Sequence, residues 1–245
     1  MTRTYQQNDT DFIPDRGADS PDPSYKSLYR IGGLSSILVA ALLVFAIMAY
    51  FIWPFKPGIA STADILMALH TDRLGGLMSL DLTFPFLVTF SILPLLAVYA
   101  ALKQVDRSFA LIALVMGLAA ALLLLPSRPL AELVLLSDKY AAATSGNERL
   151  QYLAAAEGFL ALFNGTGWMM YTILNGISTL IFSALMLRGG IFGKLIAATG
   201  IVSAIGSQGV FVPVIGPLLL LFATFGGVLW SILIARKFLQ YARPS

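Results

Sequence analysis

The stretch KLIAATGIVSAIGSQGVFVPVIGPLLLLFATFGGVLWSILIAR, residues 194–236, holds 41 consecutive uncharged residues between its two terminal cations. As a single α-helix it would extend about 60 Å, twice the hydrocarbon thickness of a bilayer. It must fold back on itself, and Pro213, Gly216 and Pro217 mark the turn. Two membrane spans result, about 195–212 and 217–235.

The composition agrees with this reading along the whole chain. Of 245 residues, 58% are hydrophobic and 12% charged, against roughly 45–50% and 25% in an average soluble domain. Mean hydropathy is +0.81. A water-soluble globule could not cover its surface with so few charges. The sequence contains no cysteine and one histidine, His70. Thiolate chemistry, cysteine-ligated clusters and sites needing two imidazoles from this sequence are therefore outside its reach. The net charge of +3 comes without a Lys/Arg cluster of the kind that grips nucleic acid.

Working outward, residues 1–29 carry Asp9, Asp11, Asp15, Asp19 and Asp22 with Pro14, Pro21 and Pro23. They read as a disordered polar tail, and their mixed charges do not suit a signal peptide. The sequon Asn8-Asp9-Thr10 lies in that tail and is discounted. A first span covers about 34–53 and ends in the interfacial residues Tyr50, Trp53 and Pro54. A second, about 74–102, contains Asp81, Pro85 and Pro94 and is expected to kink. The third runs from about 109 to 125. After Pro126-Ser127-Arg128-Pro129, residues 130–136 either prolong it or lie along the interface. Ser145 and Glu148 have capping-box spacing. The helix they start is expected to run unbroken into a fourth span, about 158–187. Residues 238–245 form a short C-terminal tail.

The expected fold is thus an all-α, polytopic bundle of six transmembrane helices over residues 30–237. An even number of spans puts both termini on one side. Eleven of the sixteen Lys/Arg (Arg3, Arg16, Lys26, Arg30, Lys103, Arg107, Arg188, Lys194, Arg236, Lys237 and Arg243) fall on that side. The positive-inside bias then places both termini in the cytoplasm of a cell (inner or plasma) membrane. No internal repeat stands out, which argues against an inverted-repeat transporter.

The strongest polar pattern lies on the fourth span. Glu157, Asn164, Trp168, Tyr171, Asn175 and Thr179 recur at steps of 7, 4, 3, 4 and 4, within about 40° of one helical line. Such a stripe should face other helices or a cavity, because side-chain amides are costly in hydrocarbon. Interhelical hydrogen bonding and a binding cleft both satisfy it. Asp81 is the acid deepest in a span, about 10 Å below Leu74 at the helical rise. It reads as a protonatable relay, a cation site, or the partner of Arg73, Arg128 or His70. Together with Arg128, Asp81, Glu157 and Asn164 are expected to line one pocket at the end opposite the termini. The lysines fall at span ends, and Ser203 and Ser207 keep company with glycine and alanine, which is helix packing.

Residues 70–114 read HTDRLGGLMSLDLTFPFLVTFSILPLLAVYAALKQVDRSFALIAL. Arg73-Leu74-Gly75, Asp81 within the second helix, and the turn Lys103-Gln104-Val105-Asp106 resemble the central block of a bacterial six-helix membrane family of unknown function. LRGGIFGKLIAATGIVSAIG, 187–206, is similar to that family's entry to its fifth helix. The break at 126–129 departs from the family's pattern. The resemblance implies a fold and a membrane location, and no catalytic motif.

Without a catalytic constellation, the expected function is non-enzymatic: an accessory subunit, or a small module binding a ligand or lipid. A small transporter or channel using Asp81 and the fourth-helix stripe is the alternative. A membrane-embedded enzyme built on the carboxylates Asp81 and Glu157 comes third. No cofactor and no metal site is expected. The expected partners are the lipid bilayer and other membrane subunits, with no nucleic acid.

Overall fold

A computed structural model describes residues 21–243, and all of their regular structure is helical. The tail sequon and the first twenty residues lie outside that range. Ten α-helices follow in order: α1 Lys26–Ile52, α2 Thr62–Thr71, α3 Arg73–Met78, α4 Thr83–Leu102, α5 Arg107–Leu124, α6 Leu130–Ala142, α7 Gly146–Ala161, α8 Thr166–Gly189, α9 Lys194–Ser207 and α10 Gly216–Tyr241. Six segments are long and apolar enough to cross a membrane. They contain α1, α4, α5, α8, α9 and α10, and this is a multi-pass membrane protein.

Those six helices form a closed ring. α1 packs on α4, α4 on α5, α5 on α8, α8 on α9, α9 on α10, and α10 returns to α1. With lipid outside, no hydrophobic drive favours one apolar contact over another. Close approach and side-chain hydrogen bonds select the pairs. At Gly32 a Cβ would stand 2.6 Å from the Ala97 Cβ, so only glycine lets α1 lie against α4 and the Phe238 ring of α10. Serine hydroxyls donate between neighbours: Ser35 to the Phe90 carbonyl, Ser178 to the Ala113 carbonyl at 2.7 Å, and Ser203 to the Ala223 carbonyl. Gln208 donates to the Thr172 carbonyl and joins α9 to α8.

The start of α1 and the end of α10 meet at one face of the ring. Tyr29 is buried and stacks on Phe238, with Tyr241 at its edge. This corrects two expected boundaries. Helix α1 begins at Lys26, inside the segment read as tail, and α10 continues to Tyr241, into the first part of the segment 238–245 read as a C-terminal tail. Span limits drawn at charges stop where hydrocarbon stops, whereas these helices continue beyond it and bury their own aromatic residues.

The opposite face carries a cap. Helices α2, α3, α6 and α7 are short and pack around Leu66, Leu69, Leu80, Leu133 and Phe163, all fully buried. Residues 130–136 belong to a separate helix, α6, because Arg128 and Pro129 take non-helical backbone angles. The capping box at Ser145 is present in both directions and starts α7. Two expectations fail here. The second span does not begin at residue 74: α3 ends at Met78, and a turn through Asp81 separates it from α4. Nor is the helix from Ser145 continuous, because a 3-10 turn at Leu162–Asn164 and the extended Gly165 break it. The α9–α10 hairpin is left outside the cap, and its tip, 212–215, is wholly apolar.

Candidate functional site

The polar residues expected to share a pocket divide into two groups. Asp81, Arg128, Trp168 and Tyr171 come together at the junction of cap and ring. Glu157 and Asn164 do not join them: both are exposed, one on α7 and the other in the turn that follows. The break at Gly165 takes residues 157 and 164 off the helical line of α8, so the periodicity assumed across them is lost. Asn175 stays on α8, half-buried, one turn beyond Tyr171.

Arg128 is the centre of the assembled group. It sits in the connection between α5 and α6, and its side chain is 2% exposed. Three rings surround the guanidinium carbon, with centroids at 4.9 Å for Trp168, 5.0 Å for Phe163 and 5.7 Å for Phe84. Trp168 stacks on Tyr171, and Phe84 meets both edge-on. Nη1 donates to the Phe163 carbonyl at 3.1 Å and to the Ser127 carbonyl and hydroxyl. Nη2 lies 3.6 Å from the Asp81 carboxylate. Nε has no hydrogen-bond partner among the described residues. A guanidinium is suited to this place because its planar faces stack on rings while its edge serves carbonyls.

Asp81 therefore lies in a turn and not within a membrane helix, contrary to expectation. Its φ is +61°, a left-handed conformation that Asp and Asn tolerate better than other side-chain-bearing residues. The turn is held by Asp81 N–H donating to the Met78 carbonyl and by Phe84 N–H donating to the Asp81 carbonyl. Its side chain keeps 35% exposure. Burial pushes the carboxyl above its ordinary value, and the Arg128 charge only partly opposes this.

Beside Asp81 is a cavity of about 20 Å³, lined among others by Ala46, Tyr50, Trp53 and Phe55. That is room for one water molecule. The centre is consequently filled by its own side chains. Its elements come from three connections, α3–α4, α5–α6 and α7–α8, which Arg128 ties together beneath the cap.

Of the three cations proposed for Asp81, Arg128 is the partner. His70 and Arg73 instead meet Asp138 of α6, at 3.2 Å and 2.7 Å, on the exposed side of the cap. Asp138, Phe84 and Phe163 were not legible as site residues, since nothing in their spacing links them to Arg73 or Arg128. Among the described residues no group of three acids or histidines is placed to hold a metal ion.

At the other face, a second polar cleft of about 360 Å³ lies between the start of α1 and the α4–α5 turn. It is lined by Asp22, Tyr25, Tyr99, Lys103, Gln104 and Arg107. Of these, Lys103 and Gln104 stood out in the sequence as part of the turn at 103–106, and Asp22 as part of the polar tail. No family model, curated protein or solved structure matches the chain.

Proposed function

We propose that this protein is a non-enzymatic accessory subunit of the cell membrane, with both termini in the cytoplasm, that acts by packing against other membrane proteins. The closed Arg128 centre carries this reading. Arg128 is enclosed by rings and carbonyls and faces Asp81, and the space beside them has room for only about one water molecule. Arg128 then serves as a lock between cap and ring. The exposed sides of the ring are rich in large apolar residues, such as Leu122, Val202 and Phe222, available to lipid and to neighbouring helices alike. The excess of Lys/Arg at the terminal face supports the orientation. The likeness of residues 70–114 to a bacterial six-helix family fits the same reading.

Purification of the full chain from its native membrane in mild detergent tests it. A second membrane protein recovered in fixed stoichiometry, whichever of the two carries the tag, is the expected result. Recovery of this chain alone, with ion flux in proteoliposomes that Asp81→Asn abolishes, would replace the accessory reading with transport.

A further inference from the structure

We infer that the cleft at the terminal face, formed by Tyr25, Tyr99, Lys103 and Arg107, is a binding site for a phosphate group, presented by a lipid headgroup or free in solution. The proposal does not depend on the protein having a membrane partner.

The volume, about 360 Å³, is within the range of small-molecule sites and far exceeds that beside Asp81. Two cations line it. Lys103 caps α4, where the chain turns, and Arg107 opens α5 one short turn later. Arg107 is exposed and forms no ion pair among the described residues. Lys103 is held in place: its ammonium stands 3.9 Å over the Tyr25 ring and 3.2 Å from the Asp22 carboxylate. Thus an anion from the chain itself already lies in the cleft, against the cation that a phosphate would need. Ser24 donates to that carboxylate through its hydroxyl and its backbone N–H, which holds the Asp22 carboxyl below its ordinary value and keeps it ionised.

Asp22 is held by local contacts, as the N-cap of the short 3-10 turn Pro23–Tyr25, whereas Lys103 and Arg107 belong to the ends of ring helices. Free phosphate offers more charge and more acceptor oxygens than a carboxylate, and a lipid phosphodiester, singly charged like Asp22, adds its ester oxygens as further acceptors. Either can displace Asp22 from Lys103 and reach Arg107 as well, while the Tyr25 ring keeps its place beneath the ammonium. The cleft lies where α4 ends and α5 begins, the level at which lipid headgroups meet a membrane helix.

The test uses the full-length protein in detergent micelles doped with phosphatidylglycerol, with diacylglycerol, which carries no phosphate, as control and inorganic phosphate as a separate arm. Binding is read from the rise in thermal stability with ligand concentration. Wild type should respond to phosphatidylglycerol more than to diacylglycerol. Lys103→Gln and Arg107→Gln should each weaken binding about fivefold, the effect of one basic side chain near a headgroup, and Asp22→Asn should strengthen it. Lys237→Gln, a basic residue on α10 outside the cleft, should leave it within about twofold. Arg107→Gln keeps the test decisive if Lys103→Gln unfolds, because Arg107 is exposed. If inorganic phosphate reproduces the response, the ligand is the free anion; if it does not, the ligand is the headgroup. Equal weakening by Lys237→Gln and Lys103→Gln, or no response to either phosphate source, would overturn the proposal.

Discussion

Arg128→Met removes the charge from the centre while keeping a long apolar side chain. The lost terms are the attraction of three desolvated rings, about 2 kcal/mol together, and a charged hydrogen bond to the Phe163 carbonyl, about 1.5–3 kcal/mol. Two terms offset them: the guanidinium no longer has to be buried, and methionine packs well against rings. The net cost should be about 2–3 kcal/mol. Asp81→Asn should cost far less, within about 1 kcal/mol. The carboxylate is one-third exposed and 3.6 Å from Nη2, and burial disfavours its charge more than Arg128 favours it. Asparagine also tolerates the left-handed turn, so the backbone is not put under strain. Denaturant unfolding in micelles, followed by the fluorescence of Trp168 and its neighbours, measures both variants. If Asp81→Asn costs as much as Arg128→Met, the ion pair and not the cage of rings holds the centre, and this reasoning fails.

Further outcomes follow from the same geometry. Because the folded carboxyl of Asp81 lies above its ordinary value of 3.8, the folded state binds more protons than the unfolded state just above that pH. Stability should therefore fall as pH rises from 3.8 through the raised value, and Asp81→Asn should remove that component of the pH–stability curve. Gly32→Ala should cost about 1–3 kcal/mol by forcing α1 away from Ala97, seen as a lowered unfolding midpoint. The chain has no cysteine, so Val214→Cys supplies a single thiol at the α9–α10 tip. The 18 residues from Lys194 to Phe211 rise only about 27 Å, and the tip should sit within the bilayer. An impermeant maleimide should leave Val214→Cys unmodified in intact vesicles and modify Asn147→Cys, at the start of α7, once it has access to the cap face.

Six spans and a fold-back at 213–217 were legible because charge-free length in a bilayer has one solution per stretch. The capping box at Ser145 was legible because it is a local chemical pattern. The site was only partly so. Trp168 and Tyr171 share a helix, and their spacing placed them together. Arg128 and Asp81 lie on connections whose geometry depends on how the cap packs, and no periodicity reaches across Pro129 or Gly165. The same breaks misled the reading of Glu157 and Asn164, whose spacing fits a helix that stops at Ala161. Apolar runs also hid the cap itself. Helices α2 and α6 bury Leu66, Leu69 and Leu133 as a span buries its leucines, but against one another, at a length too short to cross.

Arginine-specific dicarbonyl labelling of the full chain in membranes open at both faces, with peptide-level readout, bears most directly on the closed centre. Arg149 and Arg73 lie exposed on the cap and should react readily, while Arg128 should stay unmodified until the protein is unfolded. Modification of Arg128 at the rate of Arg149 would mean that water and solutes reach the guanidinium, and the lock between cap and ring would have to be read as an open passage.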